Sequence, residues 1–242
     1  TAAAAAVSAS IAWKLTRDPN KRRTAALAVG FGLGLLTPYW SVASRGAWQH
    51  GPAAFWFTLA LWAAVTISQE ASTRRLSQGV LLGASTTMAV LTRPTFVMLG
   101  AAMFVWVVWR IRDRVTAVAI GGLLAAVPVV AVNLSTFGSV LMPYYDIGRS
   151  GAARPDPLIT GAVGFFLSPS RGVLVFMPLA AVAAVVGLGR SRHLAQWPLA
   201  ICMSTGAAAL LAFVAVSPEG WWAGRTYGPR FVIDVLPVVG LL

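Results

Sequence analysis

Long stretches without a charged residue alternate along this chain with short basic interruptions. The uncharged runs cover residues 24–44, 51–69, 76–92, 94–109, 115–145, 172–189 and 194–218. Shorter apolar pieces occupy 1–13 and 231–242, the second of them holding Asp234. An apolar helix needs about 20 residues, within a range of roughly 17–25, to cross the hydrocarbon core of a bilayer. The pattern therefore predicts an all-α, polytopic transmembrane bundle of about nine spans, the first and last truncated. The chain opens on TAAAAAVSAS and closes on VLPVVGLL, partway through a hydrophobic segment. It reads as one transmembrane domain over 1–242, an internal fragment of a longer protein.

The run 76–109 is interrupted only by Arg93-Pro94. As a single helix its 34 residues would reach about 51 Å, too long for one crossing. Proline breaks a helix and extends the residue before it. Two shorter helices meeting at TRPT are expected.

Basic residues then set the orientation. Lys14, Arg17, Lys21, Arg22 and Arg23 form one cluster, Arg74 and Arg75 a second, Arg110, Arg112 and Arg114 a third, and Arg190 with Arg192 a fourth. Two crossings separate each consecutive pair, so all four fall on one face. The positive-inside rule assigns that face to the cytoplasm. The seven remaining cations, Arg45, Arg93, Arg149, Arg154, Arg171, Arg225 and Arg230, are all arginine and lie at or near the outer face, with Asp146, Asp156, Glu219 and Asp234. Residues 136–170 form the one extended outer loop, and its piece LITGAVGFFLSP is short enough to lie in the interface as a helix.

Composition agrees. The chain is 57% hydrophobic and 11% charged, against about 25% charged in a soluble domain. The net charge of +12 comes from residues scattered between apolar spans, which argues against a nucleic-acid surface. A single cysteine, Cys202, excludes a disulfide framework within the chain. The glycine-rich GFGLG at 30–34 lies inside a span, where close helix packing accounts for it.

Arginine binds phosphate through a planar, bidentate fork, and charges near lipid tend to line a cavity. Arg93, Arg171, Arg225 and Arg230 are thus candidates for the phosphate of a lipid-linked substrate. Structural alternatives stand beside each. Arg93 could snorkel at a helix end, Arg171 could satisfy loop carbonyls, and Arg230 could pair with Asp234 at i,i+4. Trp221 and Trp222 could be an interfacial belt. Asp146 and Glu219 are weak candidates for base chemistry, since loop aspartates commonly cap turns. His50 has no second metal ligand within reach, so no cofactor follows from the residues and a divalent metal stays open.

Four stretches in order, LTPYWSVASRGAWQHGPAAFWFTLAL (36–61), LTRPTF (91–96), LSPSRGVLVFMP (167–178) and EGWWAGRTYGPRFVIDVLP (219–237), resemble the GT-C superfamily of membrane glycosyltransferases. The likeness is to the bacterial dolichyl-phosphate-mannose-protein mannosyltransferase-like and aminoarabinose-transferase-like branch. It implies transfer of a sugar from a polyprenyl-phosphate carrier to a glycan, lipid or protein acceptor. The reaction would occur on the extracytoplasmic side of a bacterial inner membrane. Arg171, Arg225 and Arg230 would contact the carrier, Trp222 and Tyr227 would shape the cavity, and Gln49 and His50 would form the opposite wall. The family's acidic residues lie in a first outer loop, which places the expected base upstream of residue 1. A multi-pass transporter or flippase for a lipid-linked or anionic solute is the alternative. It would need inverted repeats that the sequence does not display.

Overall fold

The computed structural model describes residues 1–44, 49–69, 75–140, 158–170, 172–192, 196–216 and 230–242, with backbone alone at Val42, Arg75 and Leu158. No strand occurs among the described residues. The helices are α1 Ala2–Leu15, α2 Pro19–Leu35, α3 His50–Gln69, α4 Arg75–Thr92, α5 Val97–Arg110, α6 Val115–Phe137, α7 Leu158–Leu167, α8 Val173–Phe176, α9 Pro178–Ser191, α10 Trp197–Ala215 and α11 Leu236–Leu241.

Proline and local polar groups set most boundaries. Asp18 caps α2 by accepting from the Asn20 amide at 3.0 Å, and Pro19 occupies its first turn. That helix therefore starts before the uncharged run and stops at Leu35, ahead of Thr37-Pro38, where a π-helical turn, Tyr39–Ala43, follows. Arg93 is extended (φ −150°, ψ 104°) before Pro94, and a 3-10 turn, Pro94–Phe96, leads into α5. The helix break expected at TRPT is present. The run 172–189 is also divided, at Met177 before Pro178, into α8 and the 14-residue α9. At 1.5 Å per residue α9 reaches about 21 Å, short of a full crossing.

Among the described residues three helices, against the roughly nine spans expected, are long and apolar enough to cross a membrane by length and composition: His50–Gln69, Arg112–Phe137 and Trp197–Ala215. The apolar helices Ala2–Leu15, Leu76–Thr92, Pro94–Arg110 and Pro178–Ser191 are shorter. The outer-loop piece predicted as an interfacial helix is α7, which packs so closely on the end of α10 that a Cβ on Gly161 would overlap the Ala215 carbonyl.

Small residues bring the helices together. The α3 segment is the buried centre, with Ala53, Ala54, Ala60, Ala63 and Ala64 fully enclosed. Gly79 and Gly83 on α4 meet Ala117 and Val118 on α6, and Gly121 meets Val80. Contact positions rise together along both chains, so α4 and α6 run parallel, as two crossings between Arg75 and Arg114 require. The glycines at 30–34 serve packing as expected: a Cβ on Gly30 would lie 3.1 Å from Ala9 Cβ on α1. Much of the rest of α6 stays apolar and uncovered, with Leu123, Leu124, Val127 and Val132 exposed. Such a surface suits lipid and is unsuited to water.

The bundle has two chemically distinct ends. At one, Gln69 Nε2 donates to the Lys14 carbonyl at 3.0 Å, and Lys14 lies over the Trp62 ring. There Ile67, Trp106, Arg110, Arg114 and Gln196 line a shared cleft of about 240 Å³. Lys14, Arg110 and Arg114 lie at this end, and Arg192 stands over the ring of Trp197, the residue after Gln196. The other end holds the N-terminus of α3, the Arg93 break and the segment 230–235.

Candidate functional site

Asp234 lies in a 3-10 turn, Arg230–Val235, fully enclosed by protein. A carboxylate in such surroundings requires partners on both oxygens. His50, the first residue of α3, donates from Nδ1 to Oδ1 at 2.8 Å. Arg93 donates from Nε to Oδ2 at 2.6 Å, and the Thr95 hydroxyl reaches the same oxygen at 3.3 Å. The extended backbone at Arg93, forced by Pro94, releases this side chain from the α4 helical path. One carboxylate thereby ties three distant pieces of chain together.

Phe231 packs against this cluster. The Arg93 guanidinium carbon lies 5.6 Å from its ring centroid and that of Arg230 5.5 Å, so two cations converge on one aromatic ring. The His50 ring stands 6.3 Å from the same centroid. Nearby, Phe96 packs on Phe57 at 5.5 Å and supports the 3-10 turn from below.

Of the residues singled out from sequence, His50, Arg93 and Arg230 meet here, and Gln49 adjoins them as the residue before α3. Arg171, Arg225, Trp222, Tyr227, Asp146 and Glu219 lie outside the described residues. Two expectations are corrected. Arg93 does not snorkel: it is buried and bonded to Asp234. The ion pair of Asp234 is made with Arg93, because at three residues per turn positions 230 and 234 do not share a face.

Asp234 was the residue sequence reasoning undervalued. The available signal was a single acid inside the apolar run 231–242, since an isolated charge there is too costly without a partner elsewhere. Among the described residues no group of three His, Cys, Asp or Glu side chains could hold a metal. Both Asp234 oxygens are already engaged.

A helical bundle with apolar outer helices and a buried ionic cluster at one end defines a polytopic membrane protein. The family model described as "Dolichyl-phosphate-mannose-protein mannosyltransferase" matches residues 1–135, more than half of the 242. The chain belongs to that family and is a multi-pass membrane glycosyltransferase. His50 and Arg93 fall inside the matched segment. No curated protein and no solved structure matches the chain.

Proposed function

We propose that this chain takes part in moving a sugar from a polyprenyl-phosphate carrier to an acceptor on the extracytoplasmic face of a bacterial inner membrane. The observation that carries the reading is the convergence of Arg93 and Arg230 on the Phe231 ring, at the end of the bundle opposite the basic clusters. Charge of this kind suits a departing phosphate, whose negative charge grows as the sugar–phosphate bond breaks. Arg93 is anchored by Asp234 and holds the site's shape, while Arg230, with Arg171 and Arg225, addresses the carrier. Trp222 and Tyr227 shape the sugar's surroundings. The transporter alternative gains nothing from the family match.

Mass spectrometry of lipids co-purified in mild detergent tests the carrier site. A polyprenyl phosphate, free or glycosylated, is expected with the native protein and is lost in the double variant Arg171→Ala, Arg230→Ala. Equal amounts in both proteins would remove these arginines from the carrier site.

A further inference from the structure

The cleft at the end of the bundle that holds Lys14, Arg110 and Arg114 has no part in the transferase reading. All three helices of membrane-crossing length have one end there: His50–Gln69 finishes, and Arg112–Phe137 and Trp197–Ala215 begin. The cleft, of about 240 Å³, thus lies at the level of one membrane surface. The positive-inside rule assigns that surface to the cytoplasm.

Its lining is mixed. Ile67, Trp106 and Ile111 are apolar, whereas Arg110, Arg114 and Gln196 carry hydrogen-bond donors. Arg110, the last residue of α5, is exposed and has neither a hydrogen bond nor an ion pair among the described residues. Arg114 faces the Asp113 carboxylate at 3.0 Å, and Asp113 is the more exposed of the two. Asp113 borders the cleft as well, so two guanidinium groups against one carboxylate leave it net positive. Gln196 precedes α10 without a side-chain capping bond, which brings the positive end of that 19-residue helix to the same cleft.

A phosphodiester attached to acyl chains satisfies both parts of this lining. Guanidinium groups bind phosphate through paired N–H donors. The apolar side chains beside them suit the glycerol and the upper acyl chain, for which a free phosphate has no counterpart. The flank of α5 that leads to the cleft is open to lipid, with Phe104, Val105, Val108 and Trp109 exposed. The cytoplasmic leaflet supplies anionic headgroups, and basic pockets between helices on that side bind them.

We propose that this cleft binds the phosphate headgroup of an anionic phospholipid from the cytoplasmic leaflet, through Arg110 and Arg114 with Gln196. The bound lipid ties the ends of α3, α5 and α10 together, at the opposite end of the bundle from Asp234. The inference is independent of sugar transfer, since a chain that moves no sugar would bind the lipid equally well.

Native mass spectrometry of the full-length protein tests it, with phosphatidylglycerol or phosphatidylcholine of the same acyl chains added in detergent. Phosphatidylglycerol should bind in clear excess. Arg110→Gln should cut its occupancy about tenfold, the effect of losing one hydrogen bond to a charged group. Arg112→Gln removes the same charge two residues on, outside the cleft lining, and should leave occupancy at the native level. Phosphatidylglycerol should also raise the thermal unfolding midpoint of native protein more than phosphatidylcholine does, a readout that needs no variant.

Equal binding of the two lipids, or equal midpoints with both, would overturn the proposal. An equal loss with Arg112→Gln would overturn it too, by replacing a site with diffuse surface charge. Inorganic phosphate at matched ionic strength should not displace the lipid; displacement would assign the cleft to free phosphate instead.

Discussion

Asp234 and His50 are 184 positions apart in the chain, yet the carboxylate Oδ1 and the ring Nδ1 lie 2.8 Å apart in the interior. With Arg93 on the other oxygen, this contact joins the start of α3, the break between α4 and α5, and the segment leading into α11.

The ion pair should behave as a buried one. Asp234→Ala strands Arg93 as an uncompensated charge, and the expected loss is about 3–5 kcal/mol. Combining it with Arg93→Met should recover most of that loss, because no lone charge is left. Thermal unfolding in detergent measures both. A single variant as stable as native would mean that water or lipid headgroups already solvate Arg93.

Helix packing gives a second expectation. A Cβ at Gly83 would overlap the Val118 carbonyl across the parallel α4–α6 contact, so Gly83→Leu must force the helices apart. At Gly32 nothing lies within 4 Å of the place a Cβ would take, and Gly32→Ala should be neutral or stabilising by up to about 1 kcal/mol. The unfolding midpoint should fall with Gly83→Leu and stay or rise with Gly32→Ala. Similar midpoints would argue against the close approach of α4 and α6.

The helical class and several helix boundaries were legible because proline and charge are punctuation that a bilayer cannot override, whereas against about nine expected spans three helices among the described residues have spanning length. Arg93-Pro94 announced its break, and Lys14, Arg110 and Arg114 marked helix ends that lie together. The division at Met177 was harder to see, since Pro178 sits within an uncharged run and hydropathy does not register it. The site was legible only in part. Arg93 and Arg230 were recognisable as charges near lipid and His50 through the family resemblance, but their meeting around Asp234 depends on contacts spanning 141 and 184 residues. Nearest-neighbour spacing pointed instead to Arg230 as the partner of Asp234. That inference assumed α-helical periodicity, and the segment is a 3-10 turn.

The two-ended topology has its own test. Lys21→Cys, beside the basic cluster, and Val140→Cys, past the end of α6, should label from opposite sides of sealed vesicles, in a background where Cys202 is replaced. The impermeant reagent should reach position 140 from the extracytoplasmic side and position 21 only after permeabilisation. Labelling of both from one side would contradict the crossing pattern.

The ring that receives both guanidinium groups should matter for more than its bulk. Phe231→Leu keeps an apolar side chain but removes the π-face under Arg93 and Arg230. Retention of carrier lipid should fall several-fold while the unfolding midpoint shifts little. An unchanged lipid content would limit Phe231 to packing.

The most direct test of the central claim is sugar transfer by the full-length protein in proteoliposomes, supplied with a radiolabelled polyprenyl-phosphate sugar and membrane extract as the source of acceptor. Native protein should move label from the carrier to the acceptor, and Arg230→Ala should reduce the rate at least tenfold, about 1.4 kcal/mol of transition-state stabilisation. Label that stays on the carrier with native protein, or moves equally fast with Arg230→Ala, would contradict the account.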